Sequence, residues 1–389
     1  MNKRLLITLV TAIFLLAATI IVIKFAKGYR PNLKDGSLKP TGLLLANSTP
    51  RAAQVFINGE LSTATDDTIN LPPAEYEVKI IKEGYIPWEK KLKIEAELVT
   101  ETNAWLFPAV SELKPLTFTG INKPIVSPHG GLIAFNISTS SAELKAGLWS
   151  LDLATRPLSF PPKPSQIAKS TKLLDFSKSN YSFSADGSKL LVDLKNASYL
   201  LENDRLNSQF ENIKTKIIDI KDEWQKEEEL REKAWLSRFP EEISKLMKDS
   251  AKIITLSPDE TKILYLAEKN AVIPENLIPK VLSASTQPEE RTLKANMIYV
   301  YDRREDRNFK IRETMENITW LSDSRHLIFI EEKKIKAIEY DGQNEAVIYA
   351  GTFEENFSAI WPDGSRLVIL ANLNPDSPLL PNLYAINLK

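Results

Sequence analysis

Ile360-Trp361-Pro362-Asp363-Gly364-Ser365-Arg366-Leu367-Val368-Ile369 reads as a strand end, a tight turn and the start of an apolar strand. Pro presets φ for such a turn, Asp bonds its own backbone, and Gly accepts positive φ. The same phrase stands at Val126-Ser127-Pro128-His129-Gly130-Gly131-Leu132-Ile133, Phe183-Ser184-Ala185-Asp186-Gly187-Ser188, Leu256-Ser257-Pro258-Asp259-Glu260-Thr261 and Trp320-Leu321-Ser322-Asp323-Ser324-Arg325-His326. A second apolar strand follows four of the turns, at Leu148 to Asp152, Met297 to Asp302, Ile335 to Tyr340 and Leu383 to Ile386. Each unit is therefore a strand-turn-strand module that must stack on its neighbours to bury its faces.

Working outward, the five phrases predict a β-propeller of five or six blades over residues 109–389, with one blade degenerate. A strand between Ser111 and Phe118 closes the last blade from the N-terminal side. Asp186, Asp259, Asp323 and Asp363 read as caps of turn amides. His129 and His326 are taken to occupy the turn position that other copies give to Asp. The unit resembles the W-S-P-D-G-x-x-I-A-F blade of TolB-type β-propellers, and that resemblance implies a ring whose loops surround a central channel. Such propellers also precede prolyl-peptidase-like hydrolase domains, for which a chain ending at Lys389 is expected to leave no room.

Two insertions interrupt the spacing. Residues 206–250 carry Glu227, Glu228 and Glu229 with Lys and Arg neighbours, suited to a solvated helix, and Ile217, Ile220, Trp224, Trp235 and Phe239 suggest an apolar stripe. Pro240 breaks the helix and starts a second, shorter one. One reading packs this hairpin on the propeller. The other makes Trp224, Trp235 and Phe239 a partner-binding or membrane-surface patch. Residues 270–295, with Pro274, Pro279 and Pro288, read as an irregular loop.

Upstream, residues 41–108 alternate in the manner of strands, with Asn58-Gly59 as a type I′ hairpin turn. Pro50 to Gly59, Leu71-Pro72-Pro73-Ala74-Glu75-Tyr76 and Lys82-Glu83-Gly84-Tyr85 resemble the PEGA domain, a small extracytoplasmic β-sandwich-like module. The family places Gly where Ala74 stands, so this turn must avoid the left-handed region or carry about 1 kcal/mol of strain. The resemblance implies a non-catalytic module with no active site to carry over.

Residues 28–40, GYRPNLKDGSLKP, read as a short linker. Before it, residues 5–23 are uncharged and mostly apolar, and as a helix they measure roughly 28 Å, the depth of a bilayer's hydrocarbon. Residues 1–27 are expected to be a transmembrane signal anchor, with the bulk of the chain outside the cytoplasm, and a cleaved signal peptide is the alternative. Lys3 and Arg4 on one side against Lys24, Lys27 and Arg30 on the other leave orientation open.

Composition excludes more than it proposes. Lys and Arg number 50 against 51 Asp and Glu, so no global basic field argues for nucleic acid, and the absence of Cys removes disulfides and thiolate chemistry. No phosphate loop, nucleophile elbow or metal motif is present, so no cofactor is expected. The sequence thus predicts a mainly β envelope protein that binds the lipid bilayer through residues 5–23 and a protein or glycan partner elsewhere. A hydrolase or lyase using channel carboxylates such as Asp186 and Asp363 is the rival, and a membrane-coupled sensor is a third possibility.

Overall fold

The computed structural model describes residues 3–26, 28–31, 38–138, 145–154, 162–172, 174–279, 281, 285–313, 316–374 and 380–389. Lys27 and parts of the expected linker and loop insertion (32–37, 280 and 282–284) lie outside the described residues. Two compact units partition the chain. The first takes Met1–Leu106 with Ile278–Glu289, and the second takes Phe107–Leu277 with Glu290–Lys389.

The first unit opens with helix α1, Lys3–Ala26, none of whose apolar window is buried. Gly28 ends it at φ +90 in a Schellman arrangement: the Gly28 amide donates to Phe25 O (3.1 Å) and the Tyr29 amide to Lys24 O (2.9 Å). A Cβ at this buried glycine would stand 3.1 Å from Thr41 O. The described residues of the expected linker are paired. The linker holds the strand pair β1 (Arg30–Pro31) and β2 (Leu38–Lys39), and Thr41 at its end donates its amide (3.2 Å) and hydroxyl to Gly28 O.

Beyond it come β3 (Gly42–Ala46), β4 (Ser48–Thr49), β5 (Gln54–Ile57), β6 (Glu60–Ala64), β7 (Asp67–Leu71), β8 (Ala74–Ile81), β9 (Trp88–Ile94), β10 (Val99–Glu101) and β11 (Ala104–Trp105). They form a four-stranded sheet β6-β5-β8-β9, a three-stranded sheet β10-β3-β7 and the pair β11-β4. Leu44, Val55, Ile57, Val78, Ile80, Trp88, Leu92 and Ile94 fill the core, drawn from alternate positions as a strand period of two requires. Asn58 (φ 49) and Gly59 (φ 84) make the type I′ turn the dipeptide predicted. Ala74 begins β8 without positive φ, so the Gly-to-Ala departure costs no backbone strain. The outer edge of β9 is capped from the inserted segment: Gln287 Nε2 donates to Lys91 O (2.8 Å), and the Lys93 amide to Thr286 Oγ1 (3.3 Å).

The second unit is a ring of five sheets. After β12 (Leu113–Pro115), blade one is β13 (Asn122–Val126), β14 (Leu132–Ile137), β15 (Gly147–Asp152) and β16 (Ser165–Lys169). Blade two is β17 (Asn180–Phe183), β18 (Lys189–Asp193) and β19 (Ser198–Glu202), followed by helices α2 (Ile217–Leu236) and α3 (Glu241–Ser250). Blade three is β20 (Ala251–Leu256), β21 (Lys262–Ala267), β24 (Met297–Asp302) and β25 (Arg307–Glu313), with the short pair β22 (Ala271–Val272) and β23 (Thr292–Leu293) inside the loop insertion. Blade four is β26 (Glu316–Trp320), β27 (His326–Glu331), β28 (Lys334–Glu339) and β29 (Ala346–Tyr349). Blade five is β30 (Ser358–Ile360), β31 (Arg366–Ala371) and β32 (Asn382–Asn387), completed by β12, with Leu113 opposite Ile386. That pairing joins the first strand to the last and closes the ring.

Apolar clusters between neighbouring blades hold it together: Phe135, Leu151, Val368 and Leu383 between one and five, Leu148, Ile167, Leu190 and Val192 between one and two, and Val300, Phe309, Leu327 and Phe329 between three and four. Inner strands add a latch. β13 and β26 bulge at Asn122/Ile125 and Glu316/Thr319. The positive-φ residue in each bulge reaches the next blade, Lys123 Nζ to Ser179 O (2.8 Å) and Asn317 Nδ2 to Glu355 O. Blade two, the degenerate one, has no fourth strand among the described residues. Asparagine side chains meet its edge instead: Asn207 bonds both the amide and the carbonyl of Glu202 (3.2 and 2.9 Å), and Asn212 Oδ1 accepts from the Ser198 amide (3.1 Å).

Candidate functional site: a chamber at the turn end of the propeller

The repeated turns build one rim. In four of them an Asp carboxylate accepts from the amide two residues on: Asp186 from Ser188 (3.0 Å), Asp259 from Thr261 (3.1 Å), Asp323 from Arg325 (2.9 Å) and Asp363 from Ser365 (2.8 Å). Ser184, Ser257 and Ser127 place their hydroxyls to accept from Lys189, Lys262 and Leu132 amides (3.0, 2.9 and 3.1 Å). The Ser184 hydroxyl, with the bonds from Ser188, holds Asp186 far below the ordinary carboxylate range. Burial pushes Asp259 up, but the hydroxyls of Ser257 and Thr261 and the charge of Lys262 outweigh it and leave a pKa of about 2. Neither Asp186 nor Asp363 lines the chamber described next.

His129 stands, exposed, at the turn position, as expected. His326 does not. Asp323 takes that position in its copy, and His326 opens β27 with its Nδ1 2.6 Å from Asp323 Oδ2 and its ring edge-on to Phe107 at 5.8 Å. It is buried, at 2% exposure. Burial raises Asp323, while the charge and ring nitrogen of His326 and two backbone amides lower it further, so the carboxyl lies below its usual value.

Inside the rim lies a cavity of about 1210 Å³ lined by inner strands β13, β20, β26 and β30 and the turns that follow them. One wall is α2, through Glu228, Arg231, Glu232 and Trp235, with Arg238 just beyond its end. The helix is fixed at both ends. Ile217, Ile220 and Trp224 pack with Leu191 and Leu200 of blade two, while Leu236, Trp235 and Phe239 pack with Ile263, Tyr265 and Tyr301 of blade three. Between them, residues 225–234 are exposed on every face. The middle is tied to the rim by Arg231 Nη1, which donates to Ala185 O (2.7 Å), and past the C-terminus Arg238 pairs with Glu260. α3 then buries Ile243, Leu246 and Met247 at helical spacing, after Pro240 and with Glu241 and Glu242 in its first turn.

The three aromatic candidates therefore divide. Phe239, 6% exposed, lies in the core beneath Arg303, whose guanidinium is 5.7 Å from its ring. Trp224 is half-buried on blade two, outside the chamber lining. Trp235, also half-buried, lines the chamber and meets Phe239 edge-on at 6.1 Å. Sequence reasoning missed Arg231 and Arg238, since nothing in a Glu- and Lys-rich helix marks which cations reach a rim carbonyl or carboxylate. It also missed Trp320, the last residue of β26, and Trp361, at the first position of its turn. Both are 5% exposed and line the chamber, and Trp320 Nε1 has no hydrogen-bond partner. Acids and bases in the lining nearly balance, and among the described residues no group of three His, Asp or Glu is placed to hold a metal.

Fold and site together define a mainly β protein with an apolar N-terminal helix, a small β-sandwich and a five-bladed propeller. The PEGA domain family model matches residues 41–109, the span of the sandwich. No curated protein matches the chain. Among solved structures, the chain is similar to a putative TolB from Agrobacterium tumefaciens at 14% identity, covering 67% of this chain and 77% of that one with a TM-score of 0.23. It is similar to TolB from Acinetobacter baumannii at 14% identity over 81% of this chain and 60% of that one, TM-score 0.25. An acylaminoacyl peptidase from Pyrococcus horikoshii aligns at 10% identity over 70% of this chain and 39% of its own, TM-score 0.21. The ring described above rests on its own strand pairing.

Proposed function

We propose that this chain is a membrane-anchored, extracytoplasmic binding or scaffolding protein of the cell envelope, non-catalytic, that recognises a protein or glycan through the propeller chamber and the PEGA domain. The observation that carries this is the chamber itself. It is open, of mixed polarity, large for a small-molecule pocket, and its described lining holds no hydrogen-bonded nucleophile and base. The rim carboxylates are occupied in turns. α1 supplies the anchor.

Deleting residues 206–250 would remove the core residues Phe239, Ile243, Leu246 and Met247, so the test uses point probes instead. A photocrosslinking residue is placed at Glu232 or His129 in the chamber, and at Ser62 on the exposed β6 as a comparison. Irradiated whole cells are then shaved with protease and extracted with alkaline carbonate. A discrete adduct from the chamber positions, in a protein that resists carbonate and is cut from outside, supports the reading. Protection from external protease or absence of any chamber adduct sinks it.

A further inference from the structure

We propose that the foot of the PEGA domain is a binding surface for anionic phospholipid headgroups, seated by Lys24, Arg30 and Lys39. The inference rests on the reading of α1 as a membrane anchor.

The apolar span Leu6–Ala26 has 21 residues, roughly 31 Å of helix, which equals the hydrocarbon thickness. Ala26 therefore stands at the hydrocarbon boundary, and no slack chain separates it from folded structure. Gly28 O accepts from Thr41, Thr41 O accepts from the Glu97 amide (3.1 Å), and Tyr29 OH donates to Glu97 Oε1 (3.1 Å). The helix end and the β-sandwich are thus one bonded piece, and whatever side chains ring this junction lie at headgroup depth.

Beside the Glu97 carboxylate, the described side chains there are cationic and aromatic. Lys24 Nζ lies 5.0 Å from the Tyr29 ring centre, and the Arg30 guanidinium 5.7 Å from that of Phe25. Arg30 also donates to the carbonyls of Phe25 (3.0 Å) and Tyr29 (3.1 Å), closing backbone acceptors that the interface would otherwise leave wet. Aromatic rings at this depth prefer the interface, and the cations they hold are kept there with them. Arg30 stands directly opposite Lys39 in the β1–β2 pair. That register sets two cationic side chains side by side at the junction, where a phosphate can lie between them. Cations clustered next to a membrane span attract anionic lipid in this manner.

The full chain is reconstituted in phosphatidylcholine bilayers containing trace spin-labelled phosphatidylglycerol or phosphatidylcholine, and the relative association of the two labels with the protein is measured. Residues 3 and 4, at the other end of the helix, give a constant background, so the quantity read is the fall on substitution. Phosphatidylglycerol should be preferred, and the preference should drop about threefold in Lys24→Gln/Arg30→Gln/Lys39→Gln and in high salt. Should the triple variant fail to incorporate, Lys39→Glu, at an exposed strand position, should give a smaller drop in the same direction. A wild-type ratio near one, or a ratio unmoved by either variant, overturns the proposal. Carbonate extraction comes first: an extractable protein ends the anchor reading itself, whereas an integral protein without lipid preference ends only this inference.

Discussion

α1 and α2 are both long helices whose middles bury almost nothing against the protein, and their chemistry is opposite. Phe14 and Leu16 of α1 are 70% and 65% exposed, and its two mid-helix threonines return their hydroxyls to Ile7 and Leu15 carbonyls (2.9 and 2.8 Å). Those two hydroxyls ask nothing of water, as a helix in hydrocarbon would require. The middle of α2 is equally uncovered but charged all round, with Gln225 bonded to Glu229 one turn on (2.9 Å). It bridges water between two apolar anchors. Exposure alone thus identifies neither helix. The composition of the exposed face is what separates them.

If α2 lives by its ends, the largest effect should come there. Phe239→Ala empties a site packed among Trp235, Leu236 and Tyr301 and should cost about 3–5 kcal/mol, read by urea unfolding of the detergent-solubilised chain. A loss below 1 kcal/mol would mean the helix is held elsewhere. The matching perturbation of α1 is a charge at its centre. Leu15→Lys should cost about 2.5–3.5 kcal/mol of insertion and move a measurable fraction of the chain out of the carbonate-resistant pool. Unchanged resistance would argue that the helix is not in hydrocarbon.

The rim gives effects of intermediate size. Asp323 has a depressed folded pKa, so its contribution is full above the unfolded value near 3.9 and is lost as pH falls through the lower folded value. Asp323→Asn should therefore cost about 1–3 kcal/mol at pH 7, and the gap to wild type should narrow below pH 4. A gap that stays constant with pH would show that geometry, not charge, makes the contribution. Asn317→Ala removes one latch between blades four and five and should cost about 1 kcal/mol in the same urea assay.

Much of this architecture was legible in the sequence for a definite reason. The turn phrases carry Asp and Gly where geometry demands them, so five copies announced five or six blades, and the sliding of a strand from Ser111 to Phe118 into the last sheet followed from the need to close a ring. The chamber wall was not legible. Trp224 and Trp235 looked like one stripe, yet they anchor opposite ends on different blades, a division set by the propeller beneath and not by helical period. The junction at Gly28 was read as a linker because its partners, Thr41 and Glu97, are remote in sequence and ordinary in type. Blade two hid its missing strand in the side chains of Asn207 and Asn212, and side chains replacing a strand leave no periodic signal. His326 was misplaced by three positions, because a turn that lacks Gly blurred the alignment of its copy.

The smallest predicted effect is the sharpest test of the comparison. Leu230 is 67% exposed in the uncovered stretch of α2, much as Leu15, at 59%, is in α1. Leu230→Lys removes no contact with the described core, keeps a good helix former and places a cation near Glu227 one turn earlier, so stability should move by less than about 0.5 kcal/mol. The same substitution at Leu15 is expected to cost several times that. A destabilisation of 1 kcal/mol or more at Leu230 would show that its apolar side chain is covered by something, and the face of α2 turned away from the chamber would then be the place to look for a partner.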